Sequence, residues 1–366
     1  MPSPWPHVVI DALDPYPTRR PSKFTPLLTS RRPTTNKRPH DLVENEPGLI
    51  DAIEATAAIL QSQKQLCTAS RVHSANTSEE DSNVSVVNLS EIVSRQQGFD
   101  FPLRAVNAPA SLTAPLLFSS LIHNRSGEDV LLGALGAQFI LPHHSAFFLG
   151  RARRWPELAP LVTSSGYRLI LLDPPWHSRS VQRAHAYTTC DEAALLSELV
   201  PAINAIRDTE TCLLCCWVTN SKKVQDFVEE QLFPACDATP IARWYWLKLA
   251  ADGSYAGGSG PSSPHRKPWE VLLIGHAGRA PPPPVPPRLV FACVPYAQHH
   301  SAKPPIDALL KEHSHAHTEE DAWERLPKME LFARELRPHW HACGDEVLRF
   351  QHEAFHDRAR LGKVSG

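Results

Sequence analysis

The 366-residue chain is 42% hydrophobic and carries a formal net charge of −2, from 37 basic and 39 acidic side chains. That length holds one large domain plus a smaller one, and the near-balance of charge excludes a generally basic nucleic-acid binder, so any polynucleotide must be gripped by local patches. The start Met1-Pro-Ser-Pro-Trp-Pro-His7 has no long apolar stretch after a basic opening, so neither a signal peptide nor a membrane span is expected, and eight cysteines without a pairing pattern point to a reducing compartment.

The 35 prolines are about twice the usual share, and many fall at the very start. Residues 1–44, with Arg19-Arg20, Arg31-Arg32 and Lys37-Arg38 among them, read as a disordered basic arm of the kind that serves nuclear import or touches phosphates. Residues 45–134 read as an accessory region. In it Leu49, Ile50, Ile53, Ala57 and Leu60 recur at helical spacing between Pro47 and Leu66, which predicts an amphipathic helix. The Ser, Thr and Asn stretch from Thr68 to Asn83 reads as a linker. Val84 to Val87 has strand character, and Ala114 to Phe118 and Val130 to Leu132 are further apolar segments.

Residues 135–366 carry the chemistry. The run Tyr167-Arg-Leu-Ile-Leu-Leu172, opened by Gly166 and closed by two prolines, predicts a buried strand of a parallel sheet. Its carboxyl end delivers Asp173-Pro174-Pro175-Trp176. In open α/β sheets ligands bind outside the carboxyl ends of strands, so the quartet is placed as a site; the bland alternative is a turn with Trp176 as a core lid. An exocyclic amine of a nucleobase is a poor nucleophile because its lone pair is delocalised into the ring. If the Asp173 carboxylate and the Pro174 carbonyl each accept one of its N–H bonds, the nitrogen can pyramidalise toward an electrophilic carbon, by positioning and electrostatics. Proline sets that carbonyl direction and has no N–H to compete. Trp176 would stack on a base swung out of its helix.

Beyond the quartet, Arg179 and Arg183 join Arg151, Arg153, Arg154, Lys222-Lys223 and His265-Arg266-Lys267 as candidate phosphate contacts, with Tyr187, Lys248, Arg266 and Lys267 as candidate substrate contacts. Usually such pairs are solvated surface; their recurrence at strand ends suggests a rim that tracks phosphates. Cys212 and Cys215 have a C-x-x-C spacing, but they lie in the apolar run Thr211 to Val218, where residues three apart point to opposite faces. Buried free thiols are the expected state, and no metal site is expected there or at the alternating His313, His315 and His317, which read as a solvated connection. Thr219-Asn220 reads as a cap for a helix beginning at Ser221. Trp244 and Trp246 alternate with Tyr245 and Leu247 as core-facing strand residues, leaving Lys248 at the strand's end. Pro281 to Pro287, between strand-like Val271–Ile274 and Leu289–Cys293, reads as an extended surface loop.

The order of these blocks resembles the MT-A70 adenine methyltransferases, and within them the branch called methyltransferase-like protein 4. The resemblance runs from about Phe139 to about His352 and rests on Asp173-Pro-Pro-Trp176, Ser180-Val-Gln-Arg183 with Tyr187, Cys216-Trp-Val-Thr-Asn220 and Trp246-Leu-Lys248. It continues through His265-Arg-Lys-Pro-Trp-Glu270, Ser301-Ala-Lys-Pro-Pro305, Glu330-Leu-Phe-Ala-Arg334, Pro338, Trp340 and Gly344-Asp-Glu346. It implies a Rossmann-like α/β class I methyltransferase domain of permuted motif order, and S-adenosylmethionine as methyl donor. Asp173 would then also touch the methionine end of the cofactor, Lys303 would lie near its carboxylate, Glu330 and Arg334 at its ribose, and Asp345 and Glu346 beside its adenine. The blander readings are an exposed lysine at a helix start for Lys303, and for Arg334 a helical partner of Glu330 four residues earlier.

The resemblance implies methylation of the adenine exocyclic amine in RNA, such as small nuclear RNA, or in DNA, in the nucleus or also the cytoplasm, with no membrane and no obligate partner subunit. Two departures stand out: Asp345 replaces the family's Asn, and Gly150-Arg151 replaces its Ser-Asp. They favour an inert, nucleic-acid- or protein-binding family member, whereas the intact quartet favours an enzyme. A cytosine amino-methyltransferase is the third reading.

Overall fold

The computed structural model describes residues 7–9, 48–62, 104–161, 163–176, 192–250, 254–255, 258, 260–261, 267–293, 303–314, 320–353 and 356. The strands are β1 (His7–Val9), β2 (Arg104–Asn107), β3 (Ser111–Leu112), β4 (Ser120–Asn124), β5 (Val130–Ala134), β6 (Ala137–Leu141), β7 (Ser145–Leu149), β8 (Leu169–Leu172), β9 (Cys212–Val218), β10 (Ala238–Lys248), β11 (Trp269–Ala277), β12 (Arg288–Cys293), β13 (Lys328–Leu331) and β14 (His341–Gly344). An 11-stranded mixed sheet runs in the order β1-β12-β10-β11-β9-β8-β13-β14-β7-β4-β2, and β3, β5 and β6 form a second, small sheet. Helices α1 (Leu49–Ser62), α2 (Ala114–Ser119), α3 (Val200–Ile206), α4 (Lys222–Phe227) and α5 (Asp307–Ser314) are among those that accompany them.

The predicted strand is β8, the centre of the sheet, flanked in parallel by β9 and β13. Its four side chains are buried on both faces. Ile170 and Leu172 join α1, α3 and α4 residues in one core, while Leu169 and Leu171 join Ile306, Leu309 and Leu310 of the α5 region in the other. Gly166 is required at the entry because a Cβ there would meet the Arg207 carbonyl group at 2.6 Å. The exit is set by proline chemistry: Asp173 N–H makes a last bond to Leu331 O at 3.2 Å, and Pro174 and Pro175 have no N–H to continue the ladder.

Face alternation explains the rest. Cys212 and Cys216 fall in one core and Cys215 in the other, all buried and free, as the strand period dictates. Trp244 and Trp246 are fully buried on the α5 side of β10. The segment from Pro281 connects β11 to β12, and Pro286 O accepts from Trp244 Nε1 at 2.9 Å. The helix expected between Pro47 and Leu66 is α1, and the apolar segment at 114–118 is helical.

Several expectations are corrected. Within the arm expected to be disordered, His7–Val9 pairs in parallel with β12; the short apolar Val8-Val9 run suits an edge strand. Glu330 lies on strand β13, not on a helix, so it cannot be a helical partner of Arg334. His313 belongs to α5, not to a loop. The strand-like Val84–Val87 lies outside the described residues. The strands on either side of residue 135 share a hairpin and a core: β5 pairs β6, and Leu132, Phe139, Phe147 and Leu348 pack together. No described helix is long and apolar enough to cross a membrane.

Leu171→Ala should lower the unfolding free energy by about 2–5 kcal/mol, the cost of a cavity where no neighbour can collapse. A shifted denaturant midpoint at unchanged slope is the expected measurement.

Candidate active site

Because β9 and β13 run parallel to β8, and β10 and β11 alternate in direction beyond β9, one end of the sheet collects particular positions. These are the residues after β8, β9, β13 and β14, the last residue of β10 and the first residues of β11. Within those strands the alternation puts Lys248, Glu270 and Asp173 on the α5 face, in line with Trp246, Leu272 and Leu171. Three charges that are far apart in sequence are thus driven to one place.

They are joined by Lys303, which enters just before α5. Its Nζ donates to Glu270 Oε2 at 2.8 Å and lies 3.1 Å from Asp173 Oδ1. Lys248 Nζ donates to the other Glu270 oxygen, Oε1. On its far side Asp173 Oδ2 meets Arg334 Nη1 at 3.5 Å, and Arg334 Nε donates to Glu346 Oε2 at 3.1 Å, which also receives Arg349 Nη1. Burial opposes the Glu270 carboxylate, but Lys303 and Lys248 prevail and hold it down at about 2. Burial likewise opposes the Lys303 ammonium, and Asp173 and Glu270 outweigh it, so its pKa is raised. Lys248 is shifted the other way: burial lowers it, incompletely offset by Glu270.

The quartet is folded tightly. Trp176 N–H donates to Pro174 O at 2.8 Å, occupying one lone pair of the carbonyl expected to face a substrate amine and leaving the second. Trp176 is corrected from a base-stacking plane to a core lid: it is buried, its Nε1 donates to Trp217 O at 2.7 Å, and its ring meets Phe227 edge-on. The anchored indole fixes the turn that aims Asp173. Asn220 is corrected too, since its amide donates to Trp269 O at 2.6 Å and ties β9 to β11 instead of capping α4.

Of the positions expected around a cofactor, Asp173, Lys303, Arg334 and Glu346 form one chain of ion pairs. Glu330 forms a buried pair with Arg337 at 2.9 Å, and Arg337 also holds Glu335. Burial pushes the Glu330 carboxyl up, incompletely offset by Arg337. Asp345, just after β14, has a buried Oδ1 with no hydrogen-bond partner. Burial raises its pKa and Arg151 counters this. An acceptor left bare at the end of a strand two places from β8 fits a ligand that brings a donor, as an adenine amine or ribose hydroxyl would.

Gly150 is explained by packing, because a Cβ there would meet the Phe148 ring at 2.6 Å. Its N–H bonds Gly344 O at 3.3 Å, so the main-chain link between the ends of β7 and β14 survives the departure at 150–151.

Lys267 donates to Pro261 O at 3.3 Å and lies over the Trp269 ring. Lys222 pairs with Asp226 and Lys223 with Glu192, while Arg154 pairs with Glu157. All these cations lie at the Asp173 end of the sheet by strand direction. Arg179, Arg183, Tyr187 and Arg266 lie outside the described residues. Among the described residues no group of three or more His, Cys, Asp or Glu is arranged to hold a metal ion. Glu270 closes the His265–Glu270 block, but the motif gives it no role, and the structure places it between Lys248 and Lys303. Its signal in the sequence is a single acid near the start of a largely apolar strand, but its partners are distant in sequence.

The MT-A70 family model matches residues 167–346. The chain is 32% identical over 246 residues to "N(6)-adenine-specific methyltransferase METTL4" of Mus musculus, covering 64% of this chain and 49% of that protein. It is 32% identical over 245 residues to "N6-methyladenosine RNA methyltransferase MTA1" of Pyricularia oryzae, 62% of this chain and 57% of that one. It is 30% identical over 222 residues to "DNA N6-methyl methyltransferase" of Caenorhabditis elegans, 60% and 55%. The chain thus spans about half the length of the curated relatives it matches.

The depressed Glu270 carboxyl makes an acid-limb expectation. Its ordinary value is 4.5 and its folded value about 2, so its stabilising contribution is present above the ordinary value and lost as pH falls toward the folded one. Glu270→Gln should flatten that part of the stability profile between about pH 4.5 and 2, read by chemical denaturation at each pH.

Proposed function

This chain belongs to the MT-A70 family through residues 167–346, and we propose that it transfers a methyl group from S-adenosylmethionine to the exocyclic N6 amine of adenine in RNA or DNA. The observation that carries the proposal is Asp173, held at the carboxyl end of the central strand with a cation on each oxygen. Asp173 accepts one amine N–H, since each carboxylate oxygen retains acceptor capacity beside its cation. The second lone pair of Pro174 O accepts the other. Both bonds favour a pyramidal nitrogen whose lone pair is withdrawn from conjugation with the ring, and the rigid Pro-Pro turn, pinned by Trp176, holds the two acceptors in register.

Bound S-adenosylmethionine supplies an electrophilic methyl carbon on a thioether leaving group. Arg334, Glu346 and Asp345 are the residues that would hold it, from the ends of β13 and β14, with Lys303 near its carboxylate. The amine needs no prior deprotonation, because its proton leaves once the nitrogen has become cationic. Names of the relatives include both RNA and DNA enzymes, which supports either polymer here. The cations after β7 and β9 and before β11, with Arg179, Arg183, Tyr187 and Arg266, would line the phosphate-tracking rim. A nuclear site of action, action without a partner subunit, and absence from membranes are part of the same proposal.

The test is transfer of labelled methyl to matched adenine-containing RNA and DNA oligonucleotides, with mass spectrometry of the nucleosides. Methylated adenine, lost by at least about 100-fold in Asp173→Ala and Asp173→Asn, is the expected result. No product together with no cofactor binding leaves an inert scaffold, and methylated cytosine moves the assignment to the other amine. Oligonucleotide affinity should fall steeply as salt rises; a flat response in a filter-binding series would remove the rim.

A further inference from the structure

Glu270 carries more than its share of the site. It is the second residue of β11, directly opposite Trp246, and its two oxygens are divided between two ammonium groups, Lys303 at 2.8 Å and Lys248. Without it those like charges would repel across a buried space, and Lys303 would keep Asp173 alone as its partner. The floor beneath is aromatic: Lys303 lies 5.5 Å from the Trp217 ring centroid, Lys248 lies 4.7 Å from that of Trp246, and the two indoles meet edge-on. Ring faces attract cations without directing them, whereas a carboxylate directs. The placement of Lys303 on Asp173 Oδ1 is therefore set by Glu270.

We propose that Glu270 is a positioning residue for methyl transfer: by accepting from Lys303 and Lys248 together it seats the Lys303 ammonium on Asp173 and so orients the carboxylate that receives the substrate amine. The proposal rests on the methyl-transfer reading above. A residue that only stapled β11 to β10 would affect stability alone. A positioning residue also changes how the two lysines titrate and how fast the bound substrate turns over.

The experiment uses the full chain with Glu270→Gln and Glu270→Asp. It measures kcat and the cofactor KM against pH, and titrates the lysine ε-carbons by NMR with Lys248→Arg and Lys303→Arg to assign signals. In Glu270→Gln, kcat should fall on the order of 100-fold with KM changed less than about three-fold, as for a misplaced catalytic group. Both lysines should lose protons at lower pH than in the wild type, and the alkaline limb of the rate profile should move down with them. Glu270→Asp, which keeps the charge on a shorter arm, should recover part of kcat and of the titration shift. Unchanged kcat in Glu270→Gln, or a lower rate with the alkaline limb and lysine titrations unmoved, overturns the assignment. A wild-type chain that transfers no methyl group overturns the reaction itself, so the two failures are distinct.

Discussion

The site depends on one buried ion network in which Asp173, Lys303 and Glu270 compensate one another at the end of β8. None of these charges could be left alone there, because an uncompensated ion inside a protein costs several kcal/mol. Lys303 touches both acids, Glu270 touches both lysines, and Asp173 touches Lys303 and Arg334. The carboxylate is consequently fixed in direction before any ligand arrives, which is the condition for electrostatic catalysis without reorganisation.

The surrounding architecture exists to make that network dry and stiff. β8 is buried on both faces, Trp217, Trp246 and Trp340 fill the α5 side, and Trp340 Nε1 donates to Asp307 at the start of α5. That bond ties the end of the sheet before β14 to the helix that follows Lys303. Glu330, Arg337 and Glu335 form a second buried group on β13 and the loop after it. With one guanidinium serving two acids, this group braces the β13 edge of the site rather than presenting a free carboxylate.

The two departures from the family pattern lie side by side in the fold although they are almost 200 residues apart in the chain. Gly150 is bonded to Gly344, immediately before Asp345, and the Arg151 charge acts on Asp345. The Arg151 cation counters the effect of burial on the Asp345 carboxyl, and the main-chain frame between β7 and β14 is intact.

By itself the sequence determined the central strand, its proline stop and the carboxylate beyond it, because an unbroken apolar run ended by two residues lacking N–H can be little else. It also determined the faces of Cys212, Cys215, Trp244 and Trp246, since strand alternation is a local property. The positions expected around a cofactor could be named in the sequence by resemblance, without their partners. Tertiary structure alone decided what those side chains touch. Glu270 meets Lys303 and Lys248 only because β11 runs antiparallel between β9 and β10, and Arg334 meets Asp173 only because β13 lies beside β8. Trp176 closes inward only because Trp217 O and Phe227 wait for it. Pairings of charge across strands depend on sheet order and direction, which are long-range and leave no periodicity in the chain.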